Sequence, residues 1–423
     1  MTAIAAPLEF RDRQKAIWAS ISGNVLEWYD FAVYGYFAPI IAQKFFPSDS
    51  PDSSLLAAYG AFAAGFLMRP LGGFLFGYLG DRIGRRRTLI LSVALMAVPT
   101  FLIGVMPDYS AIGVWAAVLI VVMRMVQGLS VGGEYTTSAI YLVEQAPPGR
   151  RGLFASWVNV GCIAGILLGS AVGAFIHTFW EAEVQDWAWR LPFLAGLSVG
   201  VLGFVLRRGL PDSTSATELR EQAPIARAFR REWRSMLRVC GLWLASAIGF
   251  YMMFLYITTY LQREVGLSAA LALDINTISM VVLLFTIPVA GYLSDLVGRR
   301  IFMIGVPVAL LVLSYPLLWV MHHDDPALIL SAQIVFALLL GAYGPAISAV
   351  MAELFPREVR CSGMSIAYNL TLGLIGGTTP MVATYLIART HDDLSIAWYL
   401  MAAAAISFVS ALSIPETAKT PLR

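Results

Sequence analysis

The sequence predicts an all-α integral membrane protein of twelve transmembrane helices arranged as two pseudo-symmetric six-helix bundles. Three observations carry this reading. The 423 residues are 58% hydrophobic and 13% charged, with a mean hydropathy of +0.71, whereas a soluble globular domain is about 25% charged. The apolar residues fall into twelve runs long enough to cross a bilayer, which takes about 20 residues each. A ten-residue motif also occurs twice, half a chain apart. A soluble enzyme or a nucleic-acid binder is excluded by the first observation, and with 29 basic and 27 acidic side chains no polyanionic partner is indicated.

The runs lie near 18–42, 54–80, 88–107, 110–142, 153–179, 188–206, 238–261, 268–293, 301–321, 326–353, 361–388 and 396–414. Glycines and prolines interrupt many of them, as spanning helices tolerate. The N-terminal stretch MTAIAAPLEFRDRQK is too polar for a signal peptide, so the first run is expected to remain as a spanning helix. Loops on one side collect Arg82, Arg85, Arg150, Arg151, Arg299, Arg300, Arg357 and Arg360 together with both termini. Loops on the other collect acids such as Asp49, Asp108, Glu181 and Asp392. The basic side is the cytoplasmic one, with both termini inside.

GYLGDRIGRR (Gly77 to Arg86) recurs as GYLSDLVGRR (Gly291 to Arg300), and EQAPPGRRG (Glu144 to Gly152) resembles ELFPREVRCSG (Glu353 to Gly363) at nearly the same offset. The expected organisation is an N-terminal bundle over 1–206, a cytoplasmic linker over 207–237 and a C-terminal bundle over 238–423. Parallel repeats of this kind face each other across a site near the midplane. The linker's arginines, interleaved with Leu, Phe and Trp, read as an interfacial helix on an anionic leaflet. Cys162, Cys240 and Cys361 form no CxxC and read as small apolar residues. No metal site is indicated: the HHDD run (His322 to Asp325) reads as a solvated turn.

An ionisable side chain in mid-bilayer costs at least a few kcal/mol and marks function by default. Five qualify: Glu27, Asp30, Arg69, Arg124 and Glu134, all in the first half. Counting from the basic ends of their helices, Glu27, Arg69 and Glu134 lie about 15–18 Å deep, Asp30 about 21 Å and Arg124 about 30 Å. Asp30 is therefore the acid nearest Arg124. Glu27, Asp30 and Tyr34 share a helix face. Arg124, Gln127, Val131 and Glu134 form a stripe on helix 4, beside a small-residue surface at Gly128 and Gly132. Burial disfavours a charged carboxylate and a guanidinium favours it, so making and breaking the Asp30–Arg124 pair would decide when Asp30 holds a proton. Glu27 and Glu134 are further proton-coupling candidates. Arg69 offers a bidentate fork for a substrate carboxylate, with neutralisation by Glu27 and Glu134 the equally weighted alternative. The second half supplies only aromatic and amide groups at depth. Candidate substrate contacts there are Tyr251, Tyr256, Asn276, Tyr343, Tyr368 and Asn369, joined from the first half by Tyr34, Arg124, Gln127 and Asn159. An inner gate is expected from Asp81, Arg82, Arg85, Glu144 and Arg151 against Asp295, Arg299, Glu353 and Arg360, opened when the bundles rock.

The doubled G-x-x-x-D-R-x-G-R-R loop resembles the signature of the major facilitator superfamily. The second copy departs from it with Leu296 where the first has Arg82, so its ionic latch should be weaker. Over essentially the whole chain, GNVLEWYDF (Gly23 to Phe31), AGFLMRPLGG (Ala64 to Gly73), RMVQGLSVGGEY (Arg124 to Tyr135) and IPET (Ile414 to Thr417) resemble the metabolite:proton symporter family. The closest likeness is to its α-ketoglutarate permeases. The resemblance implies proton symport of a small organic acid, a di- or tricarboxylate, by alternating access. It implies no cofactor beyond the coupling proton, a bacterial inner membrane, and a functional monomer whose partners are substrate, proton and lipid. In related sugar:proton symporters an aspartate of helix 1 and the arginine of R-x-x-x-G on helix 4 handle the proton, and they match Asp30 and Arg124. A zwitterionic osmolyte such as betaine or proline is the alternative substrate; a transporter-derived sensor or a channel is a more distant one. The osmosensing branch carries a long coiled-coil tail, and about nine residues follow Ile414 here.

Overall fold

A computed structural model describes residues 10–73, 75, 85–132, 134–208, 225–323, 325–356 and 359–422. Among them every regular element is a helix. Twelve helices occupy the twelve apolar runs: α1 Phe10–Tyr36, α2 Pro51–Gly73, α3 Arg85–Val105, α4 Val114–Glu144, α5 Arg151–Phe179, α6 Leu191–Arg208, α7 Glu232–Arg263, α8 Ala269–Val297, α9 Arg300–Met321, α10 Pro326–Leu354, α11 Ser362–Thr390 and α12 Ser395–Leu412. Nine of these are long and apolar enough to span a bilayer on composition alone. The exceptions are α1, diluted by its charges, α3, which opens on Arg85–Arg87, and α6. Rings and chains such as Phe285, Val312 and Val409 point outward, as lipid-facing residues do.

Glycine faces set the packing in the first bundle. A Cβ on Gly128 of α4 would lie 1.7 Å from the Gly65 carbonyl oxygen of α2, so the backbones meet directly there. A Cβ on Gly165 of α5 would lie 2.5 Å from the Val25 carbonyl oxygen of α1. These contacts fix the heights of Arg124 against Arg69 and of the α1 acids against α5.

Several runs that read as single helices are broken near mid-height. Helix α2 turns at Met68, just before Pro70, which has no N–H to give. Helix α4 ends its first part at Ser130, so the predicted Arg124-to-Glu134 stripe does not run along one regular helix. Helix α2 comes close at this break: a Cβ on Gly132 would lie 2.3 Å from the Arg69 carbonyl oxygen. In the second bundle, α7 and α11 each contain a π-helical turn, Met252–Tyr256 and Leu372–Gly376. Such turns recur at functional sites. Preceding α7, the chain is helical from Ile225 and kinks at Glu232; linker residues 209–224 lie outside the described ones.

Candidate functional site

The breaks in α2 and α4 lie side by side, and the buried charges gather around them. Asp30, Arg124 and Gln127 interlock. Arg124 Nη1 donates to Asp30 Oδ2 at 3.0 Å and to Gln127 Oε1 at 2.8 Å, and Gln127 Nε2 donates to Asp30 Oδ1 at 2.9 Å. Thr100 of α3 completes the cluster by donating to Asp30 Oδ1. All four side chains are buried. The Arg124 guanidinium is covered by the rings of Tyr34, Phe31 and Phe62 at 4.5, 4.7 and 5.4 Å. The Tyr34 hydroxyl itself donates to the Ala58 carbonyl at 2.9 Å, so Tyr34 serves Arg124 through its ring face.

One turn closer to the basic end, Arg69 pairs with Glu27 at 3.0 Å. Both residues are buried. Only one amino group of the guanidinium is used: Arg69 Nε and Nη1 have no hydrogen-bond partner among the described residues. Around them stand Trp28, Phe66 and, from α7, Tyr251. The Arg69 carbon Cζ is 5.1 Å from the Phe66 ring and 6.0 Å from Trp28. Tyr251 packs edge-on to Phe66 at 5.3 Å, and its buried hydroxyl lies beside the Arg69 guanidinium. Its charge environment includes both Arg69 and Glu27. Arg69 and Tyr251 therefore face each other across the boundary between the bundles. Glu134 lies at the start of the second part of α4, but its side chain is outside the described ones.

The neutral candidates divide. Tyr368 stacks flat on Tyr135 with ring centroids 4.3 Å apart, and Trp243 meets both edge-on. The Tyr135 hydroxyl donates to Asn159 Oδ1 at 3.1 Å and bonds Ser348 at 2.8 Å. Asn369 Nδ2 reaches across to the Gly132 carbonyl at 2.8 Å. These groups line the same boundary as Arg69. Tyr256 and Asn276 lie nearer the acidic end: Tyr256 packs on Tyr59 at 5.8 Å, and Asn276 donates to the Tyr36 hydroxyl at 3.0 Å. The Tyr343 hydroxyl is committed to the Leu242 carbonyl of its own bundle at 2.8 Å. Sequence reasoning passed over Thr100, Tyr135, Trp243 and the aromatic wall of Phe62 and Phe66. Tyr135 had one usable signal, its place beside Glu134 in RMVQGLSVGGEY.

At the basic end the bundles are tied by charge. Arg151 of α5 pairs with Glu353 of α10 at 3.0 Å, and Arg360 pairs with Glu144. Asp295 of α8 accepts the Gly152 and Leu153 N–H groups at 2.8 and 2.9 Å, capping the start of α5 across the boundary. Arg299 binds Asp295 at 2.7 Å and Glu353 at 3.4 Å. Asp81 and Arg82 lie outside the described residues, and Arg85 is helical with its side chain outside them. At the other end, Asp52 pairs with Arg263, and Tyr59 bonds Thr259 at 2.9 Å, again from bundle to bundle. Among the described residues no three His, Cys, Asp or Glu side chains gather as metal ligands.

Two helical bundles with charges buried at mid-height and ion pairs at both ends define a membrane transporter rather than an enzyme. The chain belongs to the major facilitator superfamily. Residues 239–422 match the family described as Major Facilitator Superfamily, and residues 15–215 match Sugar (and other) transporter. The Proline/betaine transporter of Escherichia coli strain K12 is 35% identical over 97% of this chain and 85% of its own length. The Alpha-ketoglutarate permease of the same strain is 36% identical over 96% of each. The Citrate-proton symporter of Klebsiella pneumoniae is 34% identical over 92% of this chain and 89% of that protein. In fold, the chain resembles the proton:xylose symporter XylE, with a TM-score of 0.76 at 20% identity over 97% of both chains.

Proposed function

We propose that this protein is a proton-coupled importer of a small organic acid, lying in a bacterial inner membrane with its basic end and both termini in the cytoplasm and working as a monomer. One observation carries the substrate class: the buried Arg69 guanidinium stands at the boundary between the bundles with Nε and Nη1 lacking a hydrogen-bond partner among the described residues, and a carboxylate is the ligand that a cation with donors to spare binds most strongly. Arg124 Nε and Nη2 are likewise without a hydrogen-bond partner among the described residues, so a second carboxylate would meet a second guanidinium. Asp30 takes the proton. Protonated Asp30 releases Arg124, whose charge then stabilises the bound anion, and return of Arg124 to the carboxylate expels the proton.

The second reading, a zwitterion such as betaine or proline, is favoured by the rings of Trp28, Phe66 and Tyr251 around Arg69. One carboxylate on Arg69 with a methylated ammonium on those faces would satisfy the same site. It is also supported by the relatedness to the proline/betaine transporters. A thermal-shift panel of α-ketoglutarate, citrate, shikimate, betaine and proline separates the two, because a bound ligand stabilises the folded state. Stabilisation by α-ketoglutarate or citrate is expected. A response to betaine or proline alone overturns the organic-acid reading. Accumulation of the responding solute in proteoliposomes under an imposed pH gradient then tests coupling, since a channel only equilibrates it.

A further inference from the structure

A cavity of about 470 Å³, its open mouth included, indents the first bundle and is lined by Asp30 but not by Arg124. Among the described residues its lining comes from α1, α3, α4 and α6, with none from the second bundle. Both buried acids of α1, Glu27 and Asp30, line it, while neither of their arginines does. It extends between Ser92 and Thr100 along α3 and passes Gly200 of α6. At 1.5 Å per residue, Ser92 and Gly200 lie about 11 Å from the basic ends of their helices and Thr100 about 22 Å, the depth of Asp30. The cavity lining thus runs through mid-height, from about 11 Å to about 22 Å from the basic end, where it reaches Asp30.

We propose that this cavity is a proton route of its own, joining Asp30 to the aqueous phase at the basic end without passing through the substrate space between the bundles. The proposal rests on the symport reading and orientation given above. Asp30 is also covered by Arg124 and the rings stacked on it, so a proton leaving that way would have to displace a buried cation. On the cavity side Thr100, Ser92 and Ser130 provide hydroxyl groups at intervals, and a chain of water between such groups carries a proton while excluding an organic solute. The charged and titratable groups around Asp30 among the described residues are Arg124 from α4 and Glu27, Tyr29 and Tyr34 from its own helix. Helix α3 adds neutral Thr100, α4 neutral Gln127, and α6 only glycines. In the release step the Asp30 O–H bond breaks, water in the cavity takes the proton, and the carboxylate left behind is neutralised by Arg124. Substrate and proton therefore leave by separate routes, and neither has to wait for the other's path to clear.

The test is blockade of the folded protein. In a background with Cys162, Cys240 and Cys361 replaced by serine, Val93→Cys and, separately, Met96→Cys place a thiol on the cavity wall. The proteins are reconstituted and treated with a charged, membrane-impermeant methanethiosulfonate. Uptake of α-ketoglutarate, citrate, proline or glycine betaine, whichever the parent accumulates, is then measured in two modes. Labelling from the basic end is expected, with proton-driven accumulation falling at least tenfold and substrate exchange at equal pH changing less than twofold. Labelling only by a lipophilic maleimide places the cavity in lipid contact and overturns the route. Normal accumulation after complete labelling overturns the route alone. If the unlabelled parent accumulates none of these solutes, the symport reading fails and the route fails with it.

Discussion

Asp30 is held by three donors from two other helices, Arg124, Gln127 and Thr100, so its side chain is both buried and fixed. Replacing it with asparagine keeps the shape and removes the carboxyl proposed to take the proton. Asp30→Asn is therefore expected to abolish uptake driven by a pH gradient while leaving counterflow exchange within about twofold. Uphill accumulation by the mutant would contradict the assignment. Arg69 gives a complementary expectation. Lysine there retains the charge but presents a point donor instead of a planar fork. Arg69→Lys should raise KM for substrate about tenfold or more, the loss of one charge-assisted hydrogen bond worth about 1.5–3 kcal/mol, with a smaller effect on the maximal rate. Initial-rate uptake over a range of substrate concentrations checks it. Both pairs were legible in the sequence because charge is rare in a spanning helix. Thr100 and Tyr135 were not, because a hydroxyl or a phenol costs little in such a helix and can satisfy itself on nearby carbonyls, as Thr100 does on Met96. Only the fold shows that one of them reaches Asp30 and the other Asn159.

Helices are positioned here by what their facing surfaces lack. Gly128 is the sharpest case, since any Cβ there meets the Gly65 backbone rather than a side chain able to swing away. Gly128→Ala is expected to force α2 and α4 apart, destabilising the protein by about 1–3 kcal/mol, the usual cost of overpacking. It should also reduce transport, because Arg69 and Arg124 ride on the two displaced helices. Gly60→Ala, where a Cβ meets open space, should leave both unchanged; thermal unfolding in detergent compares them. The small-residue surface on helix 4 was readable as a pattern, though not its partner. The break after Ser130 and the π-helical turns in α7 and α11 were unreadable, because a continuous apolar run looks the same whether its hydrogen bonds are regular or shifted by one residue. The tail beyond α12 is an element of another kind. Burial pushes the Glu416 carboxyl up, but the N–H groups of Arg299, Arg300, Ala418 and Thr417 outweigh it and hold it below the ordinary glutamate range. A depressed folded-state value means the contact stabilises above the unfolded value of about 4.3 and that this is lost as pH falls through the folded one. Glu416→Gln should therefore lower the unfolding temperature at pH 7 and differ progressively less from the parent as pH falls below about 4.

At the scale of the whole molecule, the two bundles carry unequal tasks. The first holds every described carboxylate and guanidinium buried at mid-height, and the second meets it with Tyr251, Tyr368 and Asn369. What joins them at the basic end is mainly charge, and the sequence indicated this through the repeated Glu144 and Glu353 loops. The C-terminal tail's part was not visible there: Thr417 donates to Glu353 Oε2 at 2.6 Å, and Arg151 donates to the Thr420 carbonyl. Arg151 thus binds both an acid and the tail of the opposite bundle. Alternating access requires all of these contacts to break together, so weakening them should bias the protein toward opening at that end without touching the substrate site. Arg151→Gln and Arg360→Gln each remove one cross-bundle ion pair. At about 1.5 kcal/mol for each charge-assisted contact, the double variant should shift the equilibrium about a hundredfold toward the state open at the basic end, since about 1.4 kcal/mol corresponds to a factor of ten. A thiol placed at Ser348, buried at the boundary between the bundles, reports the change: its labelling by a charged reagent from the basic end should become faster in the double variant, and labelling at Thr259 from the acidic end slower. Equal labelling rates in parent and double variant would show that these ion pairs do not set the balance between the two faces.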